Sequence, residues 1–145
     1  MLLETIEYLL KRRKRLSKIF LFPLLVLVTH IILTYGFNIY SIAEWFDIPM
    51  HFIGGISMGA SYTLFLLMIQ KDNQLGKVNP VFFVIFVISL SAATAVTWEF
   101  LEFSSDYLFH THMQPSLADT IGDLFLGILG GTMSCLLTYY LNKKN

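Results

Sequence analysis

Seven acidic residues, Glu44, Asp47, Glu99, Glu102, Asp106, Asp119 and Asp123, lie in stretches of the chain that contain no lysine or arginine. Only His51, His110 and His112 stand near enough in sequence to offset them. Their spacing is helical. Asp47 and His51 are four apart, as are Asp119 and Asp123, and Glu99 and Glu102 are three apart, so each pair shares a helix face. Two carboxylates ~4 Å apart repel by about 4 kcal/mol at an effective dielectric near 20. A crowd of them therefore demands protons, a cationic ligand or a metal. Carboxylates with an imidazole suit a divalent cation such as Zn²⁺, Mg²⁺, Mn²⁺ or Ca²⁺. The expected metal ligands are His51, Glu99, Glu102, Asp119 and Asp123. His51 and Glu99 are also the candidate catalytic groups, serving as base beside metal-activated water. No nucleophile motif accompanies them.

Neighbouring residues have plainer readings. Asp47 is expected to cap a helix with its side chain, and Glu44 and Asp106 to be solvated. His110 and His112 read as loop residues, and His30, between Thr29 and Thr34, as a packing histidine. Asp119 also completes Ser116-Leu-Ala-Asp119, a capping box at a helix start, a role compatible with ligation.

The elements that position these residues are membrane spans. The chain has 145 residues, enough for one domain. It is 55% hydrophobic and 14% charged, with a mean hydropathy of +0.64, so lipid must solvate much of it. Four apolar stretches, 19–37, 49–69, 80–103 and 117–141, approach the ~20 residues a spanning helix needs. They lack the alternation of barrel strands. The expected fold is all-α, a four-transmembrane-helix bundle over 19–145. His51, Glu99 and Asp123 each sit about one turn inside the same end of it, where ionisable groups turn inward to find partners. Gly54, Gly55, Gly59, Gly122, Gly127, Gly130 and Gly131, with the small residues from Ser89 to Ala95, promise close helix packing. Met1 to Lys18, with Leu2, Leu3, Ile6, Leu9 and Leu10 opposite a basic end, reads as an amphipathic interfacial helix. Ser41-Ile-Ala-Glu44 suggests a capped interfacial turn, and Trp45 and Trp98 suggest interfacial anchors. Cys135, the single cysteine, reads as a packing residue. No cleavable signal peptide and no internal repeat are evident.

All ten lysines and arginines fall before the first span, at Lys71 and Lys77, or at Lys143 and Lys144. Four spans put those regions on one side, and the positive-inside rule makes that side the cytoplasm. The acids then face outward.

Asp47-Ile-Pro-Met-His51-Phe52-x-Gly54-Gly55, Trp98-Glu99-x-x-Glu102 and Ser116-Leu117-x-Asp119-Thr120-x-x-Asp123, followed by Gly127-x-x-Gly130-Gly131, resemble the VanZ-like and YjdF-like small membrane proteins. The last acid, Asp123, follows the YjdF form where the VanZ form tends to an amide. The resemblance implies a bacterial cytoplasmic-membrane protein of the cell envelope; VanZ-like members are associated with resistance to glycopeptide antibiotics. Three functions follow as expectations: a metal-dependent membrane hydrolase or binder of an envelope lipid, an envelope protein holding a lipid-linked or cationic ligand, and, third in order, cation transport. Nothing points to nucleic acid. Single-cysteine labelling in a Cys135→Ser background should find position 77 protected from an impermeant reagent and position 110 reactive. External labelling at 77 would overturn the outward placement of the acids.

Overall fold

A computed structural model describes residues 2–143. Met1, Lys144, Asn145 and the side chains of Leu2, Leu3, Glu4, Glu44 and Lys143 lie outside the described residues, and with them the roles expected of Leu2, Leu3, Glu44, Lys143 and Lys144. Among the described residues the chain is helical throughout, with no strand. It forms α1 (Leu2–Ile19), α2 (Leu21–Ile31), a π-helical turn (Ile32–Gly36), two 3-10 turns (Ile39–Ser41 and Glu44–Phe46), α3 (Asp47–Lys71), α4 (Pro80–Phe109) and α5 (Leu117–Lys143). Three helices, α3, α4 and α5, are each long and apolar enough to cross a membrane. The bent pair α1 and α2 supplies a fourth span when taken together, its axis turning by 46° at the break.

The bend has a cause in the sequence. Pro23 has no N–H to give the carbonyl four residues back, that of Ile19, and the helix breaks between them. The freed Ile19 oxygen accepts instead from Ser61 Oγ of α3 at 2.7 Å. At the same end of the bundle Arg15 of α1 grips Asp72, just past α3, through two bonds of 3.0 and 2.8 Å. Helix starts follow local chemistry as well. Asn79 Oδ1 accepts from Val81 N at 2.9 Å ahead of Pro80, and Ser116 Oγ accepts from Asp119 N at 3.2 Å. Asn38 and His110, both with positive φ, turn the chain after the π-helical turn and after α4. α4 runs to Phe109, well beyond the apolar stretch that ends at 103.

Helices do not associate in lipid for hydrophobic reasons, so close backbone packing must hold them. α3 and α5 run parallel and meet through glycines. A Cβ on Gly55 would fall on the backbone of Gly127, and one on Gly59 on that of Gly131. Gly130 fits under the Phe52 carbonyl in the same way. α4 lies antiparallel across this pair, Ala95 and Ser91 packing on Gly127 and Gly131. Beyond them Leu66, Phe83, Val87 and Cys135 form an apolar core, with Phe83 and Tyr139 rings 4.9 Å apart. Gly54 and Gly122 do not share the packing role expected of them, for a Cβ at either meets nothing within 4 Å.

Gly55→Ala and Gly59→Ala should therefore destabilise the protein by about 1–3 kcal/mol, the usual cost of overpacking. Gly54→Ala should be neutral or stabilising by up to about 1 kcal/mol, since it only improves helix propensity. Thermal melting in detergent reads the contrast; equal effects at positions 54 and 55 would refute the backbone contact.

Candidate functional site

The glycine contact also sets the register of what lies above it. Gly55 and Gly127, Gly59 and Gly131 are each 72 positions apart, and so are His51 and Asp123, and Asp47 and Asp119. Two parallel helices thus carry matched rungs, two of glycine and two of ionisable side chains, although no internal repeat is visible along the chain. α4 adds Glu99 and Glu102 from the opposite direction. All five residues expected as ligands converge, and Asp47 joins them. Donor atoms lie within 4.8 Å of one another in three overlapping groups: Asp47, His51 and Glu102; His51, Glu99 and Asp123; Asp47, Asp119 and Asp123.

His51 is the hub. Its Nε2 lies 3.3 Å from Asp47 Oδ1 and 3.6 Å from both Glu99 Oε1 and Glu102 Oε1, in hydrogen-bond geometry with none of them. Asp47, His51, Glu99, Glu102 and Asp123 are 2 to 6% exposed, so water does not screen their charges. Asp119 is half-buried at the rim. Each of three carboxylates has one oxygen held by a neutral donor. Tyr40 Oη donates to Asp47 Oδ1 at 2.8 Å, Trp98 Nε1 to Glu102 Oε1 at 2.8 Å and Gln114 Nε2 to Glu99 Oε2 at 2.7 Å. Five buried atoms are left without a hydrogen-bond partner: Asp47 Oδ2, His51 Nε2, Glu99 Oε1, Glu102 Oε2 and Asp123 Oδ2. Buried polar atoms without a hydrogen bond are rare in native proteins; of these five, His51 Nε2 and Glu99 Oε1 face each other as an ion pair. Tyr40 lies in the 3-10 turn outside the spans; burial, and then the Asp47 charge, push its hydroxyl pKa up and keep it a donor.

Several expectations need correction. Asp47 does not cap α3; Phe46 holds the cap position with no side-chain bond, and Asp47 turns inward to Tyr40 and His51. Trp98 is not an outward anchor, since its indole bonds Glu102 and its ring packs 4.7 Å from His30 and 6.2 Å from His51. Trp45 is 67% exposed, as an anchor would be. Asp106 is not merely solvated: it accepts from Thr111 Oγ1, Met113 N and Gln114 N at 2.6 to 2.8 Å, folding the loop so that Gln114 reaches Glu99. Ser41 bonds the Asn38 carbonyl rather than capping the next turn. His30 does pack among rings, against Tyr40, Phe46 and Trp98, yet its Nδ1 is buried without a partner. His110 and His112 are exposed and outside the cluster.

Sequence reasoning missed Asp47, Tyr40, Trp98 and Gln114 as parts of the site. The four-residue spacings of Asp47 to His51 and Trp98 to Glu102 were signals for two of these contacts. Tyr40 and Gln114 arrive through turns and carried none. From the end of the bundle, a cavity of about 590 Å³ with mixed polar and apolar walls, bordered by Asn38, Tyr40, His112 and Thr111, leads to Asp47 and Asp119.

Fold and cluster together define a helical membrane protein with a buried carboxylate–histidine centre. The chain belongs to the family described as predicted membrane protein (DUF2238), whose model matches residues 1–144. No curated protein and no solved structure matches it.

Two near-isosteric substitutions should move stability in opposite directions when metal is chelated. Asp123→Asn removes one of several like charges and should raise the melting temperature. Tyr40→Phe leaves Asp47 Oδ1 without its donor and should cost about 1–3 kcal/mol. Shifts of the same sign in EDTA-treated protein would show that the carboxylates are not crowded as charged groups.

Proposed function

We propose that this protein binds a divalent metal cation in the His51 cluster, at the outer end of a four-span bundle in a bacterial cytoplasmic membrane. The observation that carries the reading is the convergence, from three helices, of five buried polar atoms without a hydrogen bond. Neutral donors to one oxygen each of Asp47, Glu99 and Glu102 are the kind of outer-shell support that metal ligands ordinarily have. One imidazole among carboxylates suits Zn²⁺ or Mn²⁺ better than Ca²⁺, which takes oxygen ligands. The basic N-terminal segment supports the inward placement of the termini, and the VanZ-like and YjdF-like resemblance supports an envelope setting.

The chemistry this arrangement favours is hydrolysis of an ester or phosphoester of an envelope lipid. A bound cation supplies Lewis acidity and an activated water. His51 and Glu99 are the residues facing it, and half-buried Asp119, at the cavity rim, has the exposure to take up a proton and release it to water. The excess of carboxylates over one cation also favours a second reading, in which the centre holds a cationic ligand without catalysis.

Metal analysis of detergent-purified protein should find at least one divalent ion per chain. A ligand at 100 times its Kd stabilises by about 2.7 kcal/mol, so EDTA should lower the melting temperature measurably. Glu99→Gln and Asp123→Asn should each abolish that EDTA-sensitive part, and Glu44→Gln should leave it. Metal-free protein whose melting ignores EDTA but rises with both substitutions would sink the metal reading and leave the cationic ligand; protein that ignores the substitutions too would have no charged site at all.

A further inference from the structure

A second cavity, of about 370 Å³, opens on the side of the bundle between α2 and α4. Its rim, formed by Leu24, Leu27, Thr97 and Leu101, is exposed, while Ser57, Ala95 and His51 on its inner wall are buried. The volume falls in the range of small-molecule sites, about 300–1,000 Å³. The opening lies among the apolar surfaces of the spans, so its surroundings in the membrane are hydrocarbon. Nearer the polar end the gap is closed, where Trp98 packs on His30 and Tyr35 bonds Ser105 at 2.8 Å. The cavity therefore enters from the hydrocarbon and ends at His51, the one residue of the cluster that lines it. Asp47, 3.3 Å beyond, lines the other cavity, which enters from the end.

One residue keeps this space open. Gly54 borders the cavity, and a Cβ there would meet nothing within 4 Å. Unlike Gly55 one position on, Gly54 is not required by any neighbouring backbone. Its missing side chain leaves room rather than contact.

We propose that the lateral cavity seats one hydrocarbon chain of a membrane lipid whose head group carries an ammonium and lies against the His51 cluster. The chain is argued from the apolar walls and the opening toward lipid. The head group follows from charge: five carboxylates exceed one divalent cation, and no described lysine or arginine pairs with them. An anionic head would meet that surplus unfavourably, and an ammonium offsets it. The inference deepens the metal reading and rests on it for the head group's neighbour, not for the seat of the chain.

The test is a titration of the full chain in detergent with phosphatidylethanolamine, and separately phosphatidylglycerol, each fluorescently labelled on one acyl chain, with metal content measured on the same samples. The ethanolamine lipid should bind at least tenfold tighter than the glycerol lipid. Gly54→Leu, which fills the cavity from within, and Leu24→Trp, which blocks its mouth, should each weaken binding at least tenfold while metal content stays unchanged. Wild-type affinity in both variants would overturn the chain seat, and equal or tighter binding of phosphatidylglycerol would overturn the head group. Selective binding lost in both variants, in protein that carries no metal, would support the seat and remove the metal reading. Metal without any lipid effect would do the reverse.

Discussion

Gly55 against Gly127 and Gly59 against Gly131 let α3 and α5 touch backbone to backbone, and the width of the polar end follows from that contact. Helices separated by ordinary side chains lie 8–10 Å apart axis to axis. Removing the side chains on both sides of a seam brings the axes closer, and residues one and two turns up the same faces come closer with them. Those residues are His51 with Asp123, and Asp47 with Asp119. The contact must hold against the repulsion of the acids above it, in a solvent that contributes no hydrophobic drive between helices. Small residues on α4, Ala95 and Ser91, add a third layer over the same glycines and bring Glu99 and Glu102 into range.

Around this converging set the protein places donors that are neutral and directional. Tyr40, Trp98 and Gln114 each hold one oxygen of a carboxylate; in Asp47 and Glu102 it is the oxygen that also faces His51, and in Glu99 it is the other one. A cluster built only to be neutralised by protons would need no such ordering of one oxygen per acid. Groups held in place in this way lose less freedom when something binds between them. Asp106 belongs to this support at one remove. It anchors the loop that carries Gln114, so a residue outside the cluster controls the orientation of Glu99.

The architecture was largely legible in the sequence because lipid imposes a simple requirement of length and apolarity. Stretches 49–69, 80–103 and 117–141 correspond to α3, α4 and α5, and the first stretch to α2 and its π-helical turn. The proline that bends the first span was legible in principle, since Pro23 lacks the N–H that Ile19 needs, but its partner Ser61 is 42 residues from that carbonyl. Five residues of the cluster were readable from helical spacing and depth. Asp47 was misassigned because a carboxylate in a first helical turn usually serves the helix itself, and only tertiary packing reveals that it faces Tyr40. Gly54 was misassigned for the opposite reason: it looks like its neighbour Gly55, yet only one of the two faces another backbone.

The same difference explains how a tight bundle keeps a hollow. Consecutive helix positions point about 100° apart, so Gly55 can close the seam to α5 while Gly54 opens the space beneath α2. α2 packs on α3, and the chain meets α4 near the polar end, where His30 meets Trp98 and Tyr35 meets Ser105. The centre is approached through partly polar walls from the end and apolar walls from the side, with His51 and Asp47 between them. A site with two such approaches has the form that an amphiphile requires, one that keeps its chain in lipid while its head meets a charged centre.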